Sequence, residues 1–279
     1  MAVFILYCMI ETARELRDFR LTKYRICSPK LNGIRETKKI VFLSDLHNRM
    51  YGKENERLLE SIKNQHPDLI LIGGDMLVRK DGNSYDRTVR FLEKLPAICP
   101  VYCANGNHEQ KLKELPDKYE QSYEGYKKAL TACGIYMLEN ASETVRLDEA
   151  PVRISGLEIP LRAYARFGKK DLPLKEITDR IGEHGEEYQI LLAHHPGYIQ
   201  EYLEHGADLI LSGHYHGGVM QLPGIGGVIS PDFTLFPKYS GGIYREGAQT
   251  VVVSRGLGTH SVPVRLWNRS EERRVGKEC

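Results

Sequence analysis

Asp45 and His47, Asp75, Asn107 and His108, His194, and His214 and His216 form five short clusters of carboxylate, amide and imidazole side chains. With His195, six of the ten histidines fall in these clusters, far more than scattering would give. Asp carboxylates, an Asn carbonyl and neutral imidazoles make a mixed oxygen and nitrogen ligand set. That set suits Mn, Fe, Zn or Mg and is unlike the soft thiolate sites of copper or iron–sulfur centres. Two such cations about 3.5–4 Å apart clamp the attacking and leaving oxygens of a phosphoryl displacement. A pair of this kind needs a carboxylate between its members. Asp75, behind Gly73 and Gly74, is the natural candidate, because glycines let the backbone approach closely.

Each cluster follows an apolar run rich in β-branched residues and bounded by turn signals, the pattern of a buried strand. The runs are 39–43, 69–72, 101–104, 189–193 and 209–211. They lead into Ser44-Asp45-Leu46-His47, Gly73-Gly74-Asp75, Asn105-Gly106-Asn107-His108, His194-His195-Pro196 and Ser212-Gly213-His214-Tyr215-His216. Between the early runs, residues 55–64 and 88–95 carry apolar side chains at helical spacing. Strands alternating with helices predict an α/β fold with largely parallel pairing. In such sheets ligands bind beyond the carboxyl ends of the strands, so five strand ends aim at one place. From Gly224 onward, Gly-rich segments such as 228–230 and 250–253 suggest antiparallel strands.

Taken singly, these residues have plainer readings. Asp45 would serve as a helix N-cap, Asp75 as a turn residue, and His214 and His216 as loop histidines. The ordered set turns the reading towards ligation. His195 reads as a solvent-facing or supporting residue, and His66, His184 and His205 as structural. His260, after Gly258 and Thr259, is a candidate to line the site.

Asp45-Leu46-His47, Gly74-Asp75, Gly106-Asn107-His108-Glu109, His194 and Gly213-His214-Tyr215-His216 resemble the signature of the calcineurin-like metallophosphoesterases. Further stretches at 213–218, 236–239, 241–244 and 254–258 resemble its bacterial membrane-associated branch. That branch holds the YkuE-like phosphohydrolases and relatives acting on UDP-2,3-diacylglucosamine. The likeness covers roughly residues 22 to 268 and implies a four-layer αββα sandwich of two mixed sheets. It implies two divalent metal ions, with Asp45, His47 and His216 on one, Asn107, His194 and His214 on the other, and Asp75 bridging them. His108 would protonate the leaving oxygen or stabilise the phosphoryl charge, and a metal-bridging hydroxide would attack. Tyr215, where Thr is frequent, departs from the pattern at a position that is not a ligand. Lys238, Tyr239 and Arg255 are candidates to contact substrate, since a cation near the metals would hold a phosphate. The plainer alternative is a hairpin whose charges face water.

Composition is that of an ordinary globular chain, 41% hydrophobic and 27% charged, with no Gly/Ser or Pro-rich linker to divide its 279 residues. A net charge of +2 is too small for a nucleic-acid binder, so none is expected as a partner. The six cysteines show no CxxC pair, which favours reduced thiols. Residues 1–21 combine an apolar stretch, 3–10, with Arg14, Arg17, Arg20, Lys23 and Arg25 close behind. The stretch is short of the about 20 residues a membrane span needs. It reads as a packed helix, an interfacial anchor or the remnant of a membrane helix, which leaves localisation membrane-associated or cytoplasmic. Residues 269–279 resemble the translation of a sequencing adapter and are set aside as non-native. The catalytic domain is then 22–268.

Two substrate classes compete: a membrane-linked or nucleotide-sugar lipid ester, and a soluble phosphomonoester or cyclic phosphodiester. A rival of another class is a binding scaffold on the same fold without catalysis. It would be expected to have lost ligand residues or the G-N-H histidine, and none is missing here.

Overall fold

Successive side chains of a strand point to opposite faces. In the computed structural model of the chain this alternation divides each apolar run between two cores. The structure describes residues 10–12, 14–79, 84–165, 170–218, 220–222, 226–259 and 267–268, and the backbone of 270–276. His260 and all but Ile10 of the apolar N-terminal stretch lie outside the described residues.

The first sheet contains β1 (Phe19–Arg25), β2 (Lys39–Leu43), β3 (Leu69–Ile72), β4 (Val101–Cys103), β5 (Ile135–Met137) and β14 (Ser270–Gly276), in the order β1-β14-β2-β3-β4-β5. Strands β2 to β5 run parallel. The segment set aside from the sequence as foreign thus supplies the backbone of β14, parallel to β1 and antiparallel to β2. The second sheet contains β6 (Ala141–Leu147), β7 (Ala150–Leu157), β8 (Tyr188–Ala193), β9 (Leu209–Ser212), β12 (Gly242–Glu246) and β13 (Gln249–Val253). Its order is β12-β13-β9-β8-β7-β6, four parallel strands flanked by antiparallel β12 and β6. A two-residue pair, β10 (Gln221–Leu222) with β11 (Gly226–Gly227), precedes β12.

Ile40, Phe42, Leu71 and Tyr102 of the first sheet meet Ile154, Ile190, Leu192, Leu211 and Val252 of the second in one buried cluster between the sheets. Their neighbours face outward. Val41, Leu43, Ile70 and Ile72 pack under α1 (Glu56–Gln65), α2 (Asp86–Leu92) and α4 (Tyr123–Ala132). Leu191, Ala193, Ile210, Val251 and Val253 pack under α5 (Leu174–Ile181) and α6 (Ile199–His205). The result is the four-layer αββα sandwich of two mixed sheets. Where both faces of a sheet are covered, the inner strands β3, β8 and β9 read as continuous apolar runs rather than alternating ones.

Two expectations are adjusted. The stretch 250–253 pairs antiparallel with β12, as expected, but also parallel with β9, so the C-terminal region continues the mixed sheet. Of residues 228–230, Ile229 makes only an isolated bridge to Leu235. Cys99, Cys103 and Cys133 are free thiols, whereas Cys27 is disulfide-bonded, a pairing that spacing along the chain does not announce. Arg14, Arg17, Arg20, Lys23 and Arg25 are all exposed. No helix among the described residues is long and apolar enough to cross a membrane.

Candidate metal centre

Parallel pairing puts the carboxyl ends of β2, β3 and β4 on one edge, and those of β8, β9 and β13 on the edge facing it. The loops beyond them are joined by backbone hydrogen bonds. Asp45 N–H donates to Gly74 O (3.0 Å), His47 N–H to Asp75 O (3.1 Å), and Gly213 N–H to His194 O (3.0 Å). His194 Nδ1–H crosses between the sheets to Gly73 O at 2.7 Å. Asp45, His47, Asp75, His214 and His216 all adopt positive φ, between 49° and 64°. Non-glycine residues take this conformation at a cost and keep it only where surrounding contacts hold them there.

Glycines make the convergence sterically feasible. A Cβ on Gly74 would lie 2.1 Å from Gly106 N, and one on Gly106 would lie 2.3 Å from Asp75 Oδ1. A sixth strand end joins them, which spacing from the other clusters did not reveal. Gly256, beyond β13, packs so that a Cβ would lie 2.8 Å from Asp45 Cβ and 2.9 Å from His216 Nδ1.

The donor atoms gather in three overlapping groups: Asp45, His47 and His216; His47, Asp75 and His108; and Asp75, His194 and His214. Asp75 belongs to two of them. Its Oδ2 lies 3.2 Å from His194 Nε2 and 3.8 Å from His47 Nε2. Asp45 Oδ1 lies 3.4 Å from His216 Nε2 and 3.7 Å from His194 Nε2. His47 and His216 bring their Nε2 atoms to 3.1 Å.

These atoms fit cations. The Nδ1–H groups of His194 and His216 donate to the carbonyls of Gly73 (2.7 Å) and Gly258 (3.2 Å), so each Nε2 is turned towards the carboxylates, where a cation can take the place of its proton. Orienting a ligand imidazole through its other nitrogen is the usual support of a metal site. Asn107 is 6% exposed, and its Oδ1 is buried without a hydrogen-bond partner among the described residues. A buried unpaired acceptor is costly. A cation coordinated there removes the cost.

The electrostatics agree. Burial opposes a charged His194, but Asp75 and Asp45 outweigh it and push the imidazolium up to about 10. Burial alone would raise Asp75, yet the facing His194 and His108 hold its carboxyl well below the usual range. Asp45, with burial dominant and Asp75 beside it, is raised. His214 is driven well below its ordinary value by burial and by His195 and His194, so it stays neutral and available.

His108 stands at the start of α3 (Asn107–Glu114). Its backbone N–H donates to Asp75 Oδ1 (2.8 Å), and its Nδ1 accepts the Arg79 N–H at 3.1 Å. The proton of the neutral ring therefore sits on Nε2. His195 is buried, accepts the Gly197 N–H at Nδ1 (3.0 Å) and joins none of the donor groups.

Lys238 pairs with Glu246 at 2.8 Å and sits 4.7 Å from the Tyr239 ring centroid. The Tyr239 hydroxyl also meets Glu246, at 2.7 Å. Arg255 is half-buried, immediately before the glycine that packs on Asp45 and His216. Donor atoms come together for Asp45, His47, Asp75, His108, His194, His214 and His216.

Sequence spacing assigned no role to Glu109, although it stands in the G-N-H-E run. Its buried carboxylate accepts the N–H groups of Asp75 (2.8 Å), Met76 (2.8 Å), Leu77 (3.3 Å) and Gly106 (3.0 Å). Burial and the Asp75 charge push its carboxyl up to about 7, against the N–H donors that favour the ionised form. Its place three residues after Gly106, the N-cap of the helix that follows, is the sequence signal that could have hinted at this role. Glu109→Ala leaves four buried N–H groups to find other partners, at about 1–3 kcal/mol for each left unpaired, and frees the loop that carries Asp75. Cation affinity is expected to fall about 10–100-fold, read by chelator competition.

Residues 38–218 match the calcineurin-like phosphoesterase family. The chain is 30% identical over 238 residues to the metallophosphoesterase YkuE of Bacillus subtilis (strain 168), covering 84% of this chain and 76% of that protein. It is 26% identical over 244 residues to the phosphodiesterase YaeI of Escherichia coli (strain K12), covering 86% and 82%. In fold it is similar to a phosphopantetheinyl hydrolase from Mycobacterium tuberculosis, with TM-score 0.47 and 14% identity over 77% of this chain and 88% of that one. Family match and relatives agree with the convergence of Asp and His donors at the strand ends: the chain belongs to the calcineurin-like phosphoesterases and is a phosphoester hydrolase.

Proposed function

We propose that the chain hydrolyses phosphate esters with two divalent cations. One would be held by Asp45, His47 and His216, the other by Asn107, His194 and His214, with Asp75 shared. The observation that carries this reading is Asp75 itself, whose carboxylate belongs to two donor groups at once. Bound there, the cations would supply Lewis-acid activation of water and neutralise charge on the phosphoryl group. The chain's own residues do the rest. Gly73 and Gly258 carbonyls hold His194 and His216 in register, and Glu109 holds the Asp75 loop. His108 offers Nε2–H to the leaving oxygen. Mixed carboxylate, amide and imidazole donors suit Mn, Fe, Zn or Mg.

For the substrate, exposed Phe233, Leu235 and Phe236 crowd one loop. They favour an ester with a bulky organic part, membrane-linked or soluble, over a small polar phosphomonoester.

Stripping the protein with a chelator is expected to abolish hydrolysis of bis(4-nitrophenyl) phosphate, and returning Mn or Zn to restore it. Because a cation must displace the proton that the carboxylates hold on His194, its affinity should rise with pH. For one displaced proton the gain approaches tenfold per pH unit between pH 6 and 8, below the raised value near 10. Titrations at three pH values read this directly. Hydrolysis that survives complete metal removal would sink the proposal.

A further inference from the structure

One ring beyond His214 the molecule opens into a cavity of about 390 Å³. His195 separates the two: its ring centroid lies 4.5 Å from that of His214, and it also lines the cavity. Four aromatic side chains, Tyr198, Tyr215, Phe233 and Tyr239, share the wall with Asp232, Lys238 and small residues. The volume lies within the range of about 300–1,000 Å³ typical of small-molecule sites.

The wall is tied to the metal-binding loop. Tyr215 is 4% exposed, and its hydroxyl donates to Asp232 Oδ2 at 3.1 Å. Ser230 donates its hydroxyl to Asp232 Oδ1, and its N–H to Thr234 O at 3.0 Å. The Thr that frequently fills the position of Tyr215 in related motifs is too short to make this link. Phe233 and Phe236 adopt φ of +64° and +47°. Such backbone is costly and persists where the surroundings over-determine it. Phe233 is nonetheless 52% exposed at the cavity wall. A half-exposed ring carried on strained backbone beside a cavity is placed to meet a ligand.

We propose that this cavity is a subsite for a planar aromatic ester group, of the nucleobase class, on the phosphate ester cleaved at the adjoining centre. The inference rests on the hydrolase reading of that centre. Planar rings stack favourably on aromatic side chains, largely regardless of sequence. A carboxylate has about four lone-pair positions, so Asp232 can accept from a ring N–H besides Tyr215 and Ser230. An acyl chain would instead bury that carboxylate and the tyrosine hydroxyls against hydrocarbon, which is unfavourable.

The test compares thymidine 5′-(4-nitrophenyl phosphate), methyl 4-nitrophenyl phosphate and decyl 4-nitrophenyl phosphate on the metal-reconstituted protein. In each, water adds at phosphorus and the bond to 4-nitrophenolate breaks, so only the spectator ester group differs. The thymidine ester is expected to exceed the methyl ester at least about tenfold in kcat/KM. Phe233→Ala and Tyr215→Thr should each reduce that ratio below about threefold. Equal use of the two esters by the unsubstituted chain, or an undiminished ratio in Phe233→Ala, would overturn the subsite. A decyl ester preferred over the thymidine ester, with that preference lost in Phe233→Ala, would overturn its aromatic character. Turnover of none of the three would remove the hydrolase reading itself.

Discussion

Asp75→Asn is expected to lower kcat/KM for bis(4-nitrophenyl) phosphate by about 10³-fold, about 4 kcal/mol at the barrier. The exchange keeps the shape that the site demands, for Gly106 allows no displacement of this side chain: even a Cβ there would lie 2.3 Å from Asp75 Oδ1. Oδ1 of the amide can still accept the His108 N–H. What disappears is the charge that two donor groups share. The new NH2 would point its hydrogens at His194 and His47, where a cation requires an acceptor. Asp75 is also the largest of the charges that raise His194, so the substitution should lower that histidine's pKa, visible by NMR titration of the chelated protein. Cation content by elemental analysis should drop with activity. A variant that keeps full activity and full metal would refute the shared-carboxylate assignment.

His108→Ala is the second large expectation, about 10²–10⁴-fold in kcat, the range of a positioned general acid. The tautomer of the ring is fixed. The Arg79 N–H occupies Nδ1, so the proton lies on Nε2, and the His108 backbone is pinned to Asp75. The size of the loss should depend on the leaving group. Alkyl esters, whose departing oxygen needs a proton, should lose the full factor. A 4-nitrophenyl ester, which departs readily as the anion, should lose far less. A uniform loss across leaving groups would show that His108 positions the site or neutralises charge without donating a proton.

Much of this geometry was written in residue order. Residues 39–43 and 69–72 coincide with β2 and β3, and 189–193 and 209–211 fall one residue short of β8 and β9. A strand buried on both faces is an unbroken apolar run, which a local reading detects. Helix α1 was equally legible, because Leu58 and Ile62, four apart, are fully buried on one face. The edge strands were not. Strand β6 reads Ala-Ser-Glu-Thr-Val-Arg-Leu, alternating half-buried and exposed residues, and its partner β7 carries Pro151. Their pairing depends on tertiary context.

At the site, the sequence announced the candidate donors and stayed silent on the groups that position them. Asp45, His47, Asp75, Asn107, His108, His194, His214 and His216 stand in short motifs after apolar runs. Glu109, the Gly73 and Gly258 carbonyls and the Gly256 contact act through folded proximity, and residues such as Glu and Gly are too common for their types to stand out. Tyr215 lies between these cases. Its departure from Thr was visible, while its bond to Asp232 appears only once residues 17 apart in the chain are brought together.

The central claim is that two cations share Asp75. Anomalous X-ray scattering from crystals of the Mn-reconstituted protein tests it most directly. The account predicts two peaks about 3.5–4 Å apart, with the Asp75 carboxylate between them, Asp45, His47 and His216 around one, and Asn107, His194 and His214 around the other. A single peak, or two peaks of which one does not touch Asp75, would contradict it.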